Sequence, residues 1–150
     1  MRLLVLLIFL TGFILPAKAQ SAEDSVKNTI SQMFAAMKSA DASGLRKVFA
    51  DSALLQSISV TKEGKTVVRN EPVSEFIDYV GKQQAGSADE RISFDVVKTD
   101  GPLAFAWTPY KFYFNGELHH CGINSFQLVR LNGEWKVQYI IDTRRRDGCQ

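Results

Sequence analysis

The sequence predicts an α+β fold in which three helices cover one face of a curved antiparallel sheet. Two observations carry this expectation. Helical apolar spacing recurs three times in the first part of the chain. Two Asn-Gly dipeptides, Asn115-Gly116 and Asn132-Gly133, then separate stretches rich in alternating apolar residues, the strongest short-range signal for a two-residue hairpin.

Each element follows from local chemistry. Ser21 and Asp24 form a capping box ahead of Val26, Ile30, Met33, Phe34 and Met37, whose spacing paints one helix face. Asp41 caps a shorter helix through Leu45, Val48 and Phe49, with Gly44 near its start as the unfavourable residue. Residues 52–61 alternate as a strand, and Glu63-Gly64 turns the chain back into residues 66–69. Pro72 opens a third helix through Val73, Phe76, Ile77 and Val80, and the polar stretch 83–90 reads as a loop. Ile92, Phe94 and Val96 alternate with Ser93 and Asp95 as a strand. Gly101-Pro102 marks a turn, and the aromatic run from Phe105 to Phe114 leads into the first hairpin.

The N-terminus is of another kind. Arg2, the apolar run Leu3 to Leu15, Pro16 and Ala17-Lys18-Ala19 have the three-part layout of a cleaved export signal. Residues 1–19 are therefore read as a signal peptide and 20–150 as one domain, exported to a periplasm or the extracellular medium. The apolar run falls short of the roughly 20 residues that span a bilayer. No cysteine follows the cleavage point to accept a bacterial lipid, so no membrane anchor is expected. Removing Arg2 and Lys18 lowers the Lys plus Arg count from 18 to 16, against 16 acidic residues, so the mature net charge is zero. Nonspecific nucleic-acid binding needs a cationic surplus, and that partner class is excluded.

Cys121 and Cys149 both survive cleavage into a compartment where disulfides persist. A Cys121–Cys149 bridge tying the tail to the sheet is the leading reading, with free structural thiols and a reactive Cys121 beside His119 or His120 as alternatives. Two cysteines at this spacing make no metal site, and there is no phosphate-cradling glycine loop, GxSxG elbow or HExxH helix. Neither metal nor cofactor is expected.

The element order, together with the stretch HHCGINSFQLVRLNGEWKVQYIIDTRR, resembles the nuclear-transport-factor-2-like superfamily, nearest its lumazine-binding-like and polyketide-cyclase-like bacterial branch. The resemblance covers the whole mature chain. It rests most on His120, Gly122, Asn124, Phe126 and Leu128, then Gly133, Trp135 and Val137, and finally Ile141 and Thr143. It implies a cone-shaped fold, a pocket between sheet and helices, and often a homodimer. It implies no single reaction, because such proteins include isomerases, dehydratases, cyclases, epoxide hydrolases and binding modules, so the site must decide.

Uninterrupted hairpins would pair Lys111 with His120, Trp107 with Asn124, Phe126 with Tyr139 and Asn124 with Ile141. That register places Phe105, Trp107, Phe126, Leu128, Trp135, Val137, Tyr139 and Ile141 on the core face, continued by Lys111, His120, Asn124, Thr143 and Arg145. The expected ligand site is Trp107, Lys111, His120, Asn124 and Arg145, an aromatic and cationic pocket for a small anionic or heteroaromatic molecule. His120 is the candidate general base, with Asn124 orienting it. The same parity turns Asp95 and Asp142 away from the core. Phe112, His119, Cys121, Ile123 and Ile140 fall on the other face, where an apolar stripe would suit a dimer. A bulge would exchange the faces, and Pro109, which cannot donate to the ladder, favours a bulge or an edge nearby. The sequence thus supports three readings: a small-molecule-binding protein, a lyase, isomerase or hydrolase using His120, or a ligand-free dimerising or partner-binding module. Whether it is an enzyme stays open.

Overall fold

A computed structural model describes residues 21–149. The expected signal peptide lies outside the described residues. Helix α1 spans Ala22–Lys38, and the Ser21 hydroxyl at its N-cap accepts from the Asp24 amide at 3.0 Å. Helix α2 spans Ala42–Val48, with the Asp41 carboxylate capping the Gly44 amide at 2.9 Å. Strands β1 (Phe49–Val60) and β2 (Thr66–Glu71) form a hairpin, and α3 (Val73–Gly81) follows Pro72. The rest is sheet: β3 (Ala88–Ile92), β4 (Val96–Asp100), β5 (Leu103–Phe114), β6 (Glu117–Leu131) and β7 (Glu134–Thr143). Both Asn-Gly turns form, with positive φ at Asn115, Gly116, Asn132 and Gly133, as a type I′ hairpin turn requires.

The strands form one sheet in the order β2-β1-β7-β6-β5-β3, with β4 also pairing β5. The arrangement is α+β, with the helices in the N-terminal half, as expected. It is not wholly antiparallel, because β1 runs parallel to β7. A second correction concerns residues 83–96. The stretch read as a loop already contains β3, and the strand expected from Ile92 to Val96 is a break. Ile92 pairs with Tyr110 and Val96 with Trp107, so four steps on one side face three on the other. The extra residue is a bulge that divides one long edge strand into β3 and β4.

Two further bulges reset the register. One falls between Phe112 and Tyr113 of β5, opposite His119, so that Phe112 rather than Lys111 faces His120, and Thr108 rather than Trp107 faces Asn124. The other falls at Gln127/Leu128, where Gln138 is the extra residue, so that Phe126 faces Ile140 and Asn124 faces Asp142. Each bulge exchanges the faces beyond it. The inner, helix-covered face of β5 therefore carries Ala104, Ala106, Thr108 and Tyr110, all buried, while Trp107 points out and is 40% exposed. Small inward residues have a packing reason. They leave room for α1, whose Val26, Ile30, Met33, Phe34 and Met37 are buried in the core. Phe34 meets Phe126 edge to face at 6.0 Å. Fully buried aliphatic and aromatic side chains of this kind each contribute roughly 1.5–3 kcal/mol.

The chain continues beyond β7 along β6. Arg145 and Cys121 exchange backbone hydrogen bonds at 3.0 Å, and Cys121 and Cys149 form a disulfide. Gly122 lets this extension approach: a Cβ there would lie 1.7 Å from the Thr143 carbonyl oxygen.

Candidate functional site

Between α1, α3 and the inner face of the sheet lies a cavity in two adjoining chambers. The deeper, of about 70 Å³, sits beneath Met33, Phe34 and Met37 and reaches Asn124 and Phe126. The outer, of about 400 Å³, is walled by Phe76, Tyr79, Phe112, Phe114, His119 and His120. Glu71, Glu90, Asp142 and Arg144 line both.

The sheet explains this convergence. Residues of alternate parity on β3, β5, β6 and β7 share the inner face, and the two hairpin bulges put Glu90, Tyr110 and Asp142 on it beside Asn124. Asn124 Nδ2 donates to Glu90 Oε1 at 2.8 Å. Arg144 Nε donates to Asp142 Oδ2 at 2.8 Å, and its guanidinium stands 3.8 Å from Glu71. The Tyr110 hydroxyl donates to the Thr143 carbonyl at 3.0 Å and lies 3.4 Å from Asp142 Oδ2. Asp142 Oδ1 is buried without a hydrogen-bond partner among the described residues. An orphaned carboxylate oxygen in a cavity wall is costly unless a donor arrives.

This environment changes the titration of its members. Burial pushes the Glu90 carboxyl up to about 7; the Asn124 hydrogen bond opposes this and the nearby Asp142 charge adds to it. The Tyr110 phenol is raised by burial and by the Asp142 and Glu90 carboxyls. His120 is lowered to about 4, first by burial and then by Arg144 and His119, so its imidazole is neutral near pH 7. It packs against Phe112 and meets Tyr110 edge-on, with ring centroids 4.9 and 5.6 Å away. His119 Nδ1 and His120 Nδ1 are 2.8 Å apart, so one ring donates and the other accepts.

The site expected from the sequence is divided by the sheet. His120 and Asn124 border the cavity. Trp107 faces outward, and Lys111 and Arg145 line a separate depression of about 330 Å³ beside Cys121 and Cys149. The physical reason is the pair of bulges, which also turn Asp142 and Ile140 inward, against the expected parity, and bring Arg144 rather than Arg145 to the cavity. Phe112, expected on the outer face with Ile140, is an inner wall. Asp78 of α3 does not line the cavity and pairs with Arg46 at the surface at 2.9 Å. The cationic pocket becomes a mainly acidic one. Glu90 was hidden in the stretch read as a loop, although the period-two pattern Ala88, Glu90, Ile92 was its available signal.

Comparison with known proteins gives a consistent picture. Residues 21–138 match the family model described as "Putative lumazine-binding". Among solved structures, an NTF2-like protein of unknown function from Shewanella baltica OS155 superposes with a TM-score of 0.63 at 18% identity, covering 82% of this chain and 93% of that one. A protein of unknown function with a cystatin-like fold from Nostoc punctiforme gives a TM-score of 0.65 at 12% identity, covering 85% and 95%. An NTF2-like protein of unknown function from Methylobacillus flagellatus gives 0.62 at 16% identity, covering 86% and 97%. No curated protein matches the chain. At these identities the structural likeness speaks for the fold alone.

Proposed function

The chain belongs to the lumazine-binding-like family of the NTF2-like superfamily, and from that premise we propose that it is an exported small-molecule-binding protein whose ligand occupies the cavity on the inner face. The observation that carries the reading is the orphaned Asp142 Oδ1 beside the Glu90–Asn124 pair, in a cavity that also presents Met33, Phe34, Met37, Phe76 and Phe126. A few convergent polar groups in an apolar cavity are what orient a small ligand. The site residues in this reading are Glu90, Asn124, Asp142, Arg144 and His120. Trp107, Lys111 and Arg145 take no part in that cavity.

Native mass spectrometry of the purified protein tests it. A noncovalent passenger mass that vanishes on denaturation and falls in Asn124→Ala is the expected result. Titration of candidate ligands with affinities indifferent to both Asn124→Ala and Asp142→Asn would remove the reading.

A second reading, an acid–base enzyme of this superfamily, is favoured by the titration of Glu90 near neutrality. It replaces His120, whose neutral and weakly basic ring is poorly matched to proton abstraction, with Glu90 as the base. A rate on candidate substrates that survives Glu90→Gln would sink it. Export through residues 1–19 and homodimerisation are parts of the same proposal. The outer sheet face carries exposed Val96, Leu103 and Trp107, an apolar stripe suited to a second copy.

A further inference from the structure

The cavity differs from a general apolar pocket in its charge. Glu71, Glu90 and Asp142 line the outer chamber with a single guanidinium, Arg144, and no lysine. The charge of Arg144 is already engaged, by Asp142 Oδ2 at 2.8 Å and by Glu71 at 3.8 Å. Beyond those pairs, Asp142 Oδ1 has no donor, and Glu90 is held only through Oε1. Asp142 is 8% exposed, so neither bulk water nor the described protein supplies the missing hydrogen bond.

The walls add a second, independent feature. Phe76, Tyr79, Phe112, Phe114 and His120 line the outer chamber with aromatic rings. Aromatic faces attract cations electrostatically, by about 0.5–2 kcal/mol each according to desolvation. Carboxyl groups and aromatic rings in one lining together favour a cation over an anion. Among the described residues, no group of three His, Cys, Asp or Glu side chains converges as a metal site. A bare metal ion would also leave the aromatic walls unused.

Resting on the reading of this cavity as a ligand site, we propose that its ligand is an organic ammonium ion: a protonated amine carried on an apolar or aromatic body. The ammonium N–H groups pair with the Asp142 carboxylate and the free oxygen of Glu90, while the body fills the chamber between Phe76 and Phe112.

Three compounds of similar size, one cationic, one neutral and one anionic, test this. Phenethylammonium, phenethyl alcohol and phenylacetate are titrated into the ¹⁵N-labelled protein at pH 7.5 and followed by backbone amide shifts. Phenethylammonium is expected to bind roughly tenfold more tightly than the alcohol, with phenylacetate weakest and the shifts at Phe112, His120 and Asn124. Asp142→Asn is expected to erase the preference for the amine over the alcohol, and a preference that survives it overturns the proposal. If that variant does not fold, Glu71→Gln in the lining of both chambers replaces it and should cut the preference roughly threefold; an unchanged preference overturns the proposal. Equal or tighter binding of the alcohol or phenylacetate, with the same amides shifted, overturns the ammonium class and leaves the cavity a ligand site. No shift of cavity amides with any of the three would overturn both.

Discussion

Asn124 on β6 reaches across the inner face to Glu90 on β3, donating from Nδ2 to Oε1 at 2.8 Å, and the strand between them, β5, lies beneath the bond. The two residues are 34 apart in sequence, and only the hairpin bulge in β5–β6 gives them a common face. The bond accounts for one Glu90 oxygen and leaves the carboxyl in a site that favours its protonated form.

A stability test follows from that preference. Glu90 titrates at about 7 when folded against an ordinary value of 4.5. The folded state therefore binds the extra proton, its contribution is complete below pH 4.5, and it is lost as pH rises through 7. At pH 8 the ionised carboxyl costs on the order of 3 kcal/mol. We predict that Glu90→Gln, which keeps the acceptor for Asn124, is more stable than the parent at pH 8 and loses that advantage by pH 4.5. Urea midpoints at the two pH values measure it, and a variant less stable at pH 8 would contradict the assignment.

His120 should give the opposite slope. Its folded value of about 4 lies below the ordinary 6.5, so the unfolded chain takes the proton first. Its contribution is full above pH 6.5 and is lost as pH falls toward 4. We predict that His120→Phe, which preserves the ring packing on Phe112, flattens the stability profile between pH 4 and 6.5. In the parent, the His120 ring proton resonance should titrate near pH 4. A midpoint at or above 6.5 would place the imidazole in water rather than against Tyr110 and Phe112.

Gly122 is predicted to be the least replaceable glycine of the sheet. A methyl group there would meet the Thr143 carbonyl oxygen at 1.7 Å and the Tyr110 ring at 2.8 Å, and neither can move without breaking the hydrogen bond between them. Gly122→Ala should cost more than about 3 kcal/mol, in the range reserved for backbone clashes and broken buried networks. Gly64→Ala meets no atom at its Cβ and carries only the strain of its positive φ, roughly 1–2 kcal/mol, so it should be the milder change. Equal denaturation midpoints for the two variants would contradict this.

The helices, both Asn-Gly turns and the disulfide were legible in the sequence because each is decided locally: by apolar spacing, by residues that tolerate positive φ, and by cysteine count with compartment. The faces of β5 and β7 were not. Phe105 and Trp107 look like core residues beside Ala104 and Ala106, yet the alanines are buried because α1 needs the room. Size-based reading favours the larger residue wherever both parities are apolar. The bulges opposite His119 and at Gln138 have no signature in the residues themselves, and together they carry Trp107 and Lys111 out of the site and Asp142 and Arg144 into it. Asn124 kept its place because it stands between the bulges on β6, at the same parity as Phe126.

The Cys121–Cys149 bridge closes a loop of 28 residues that contains β7 and the extension bearing Arg144. Chain-entropy arithmetic for a loop of that length gives roughly 3–4 kcal/mol of stabilisation, by restricting the unfolded chain. We predict that Cys149→Ser lowers the unfolding free energy by about that amount, and that reductant lowers the parent to the level of the variant. The loss should not be confined to stability. Cys149 holds the tail against Cys121, where Arg145 is hydrogen-bonded, and the next residue back is Arg144, the partner of Asp142. Freed of the bridge, the extension is held by its backbone bonds to Ile58 and Cys121 and by the side-chain pairs of Arg144. Amide hydrogen exchange at Arg144 and Arg145 should therefore accelerate in Cys149→Ser more than exchange at Phe126 or Leu128. Uniform acceleration across β6 and the tail would mean that the bridge stabilises the domain as a whole and does not specifically hold Arg144 at the cavity.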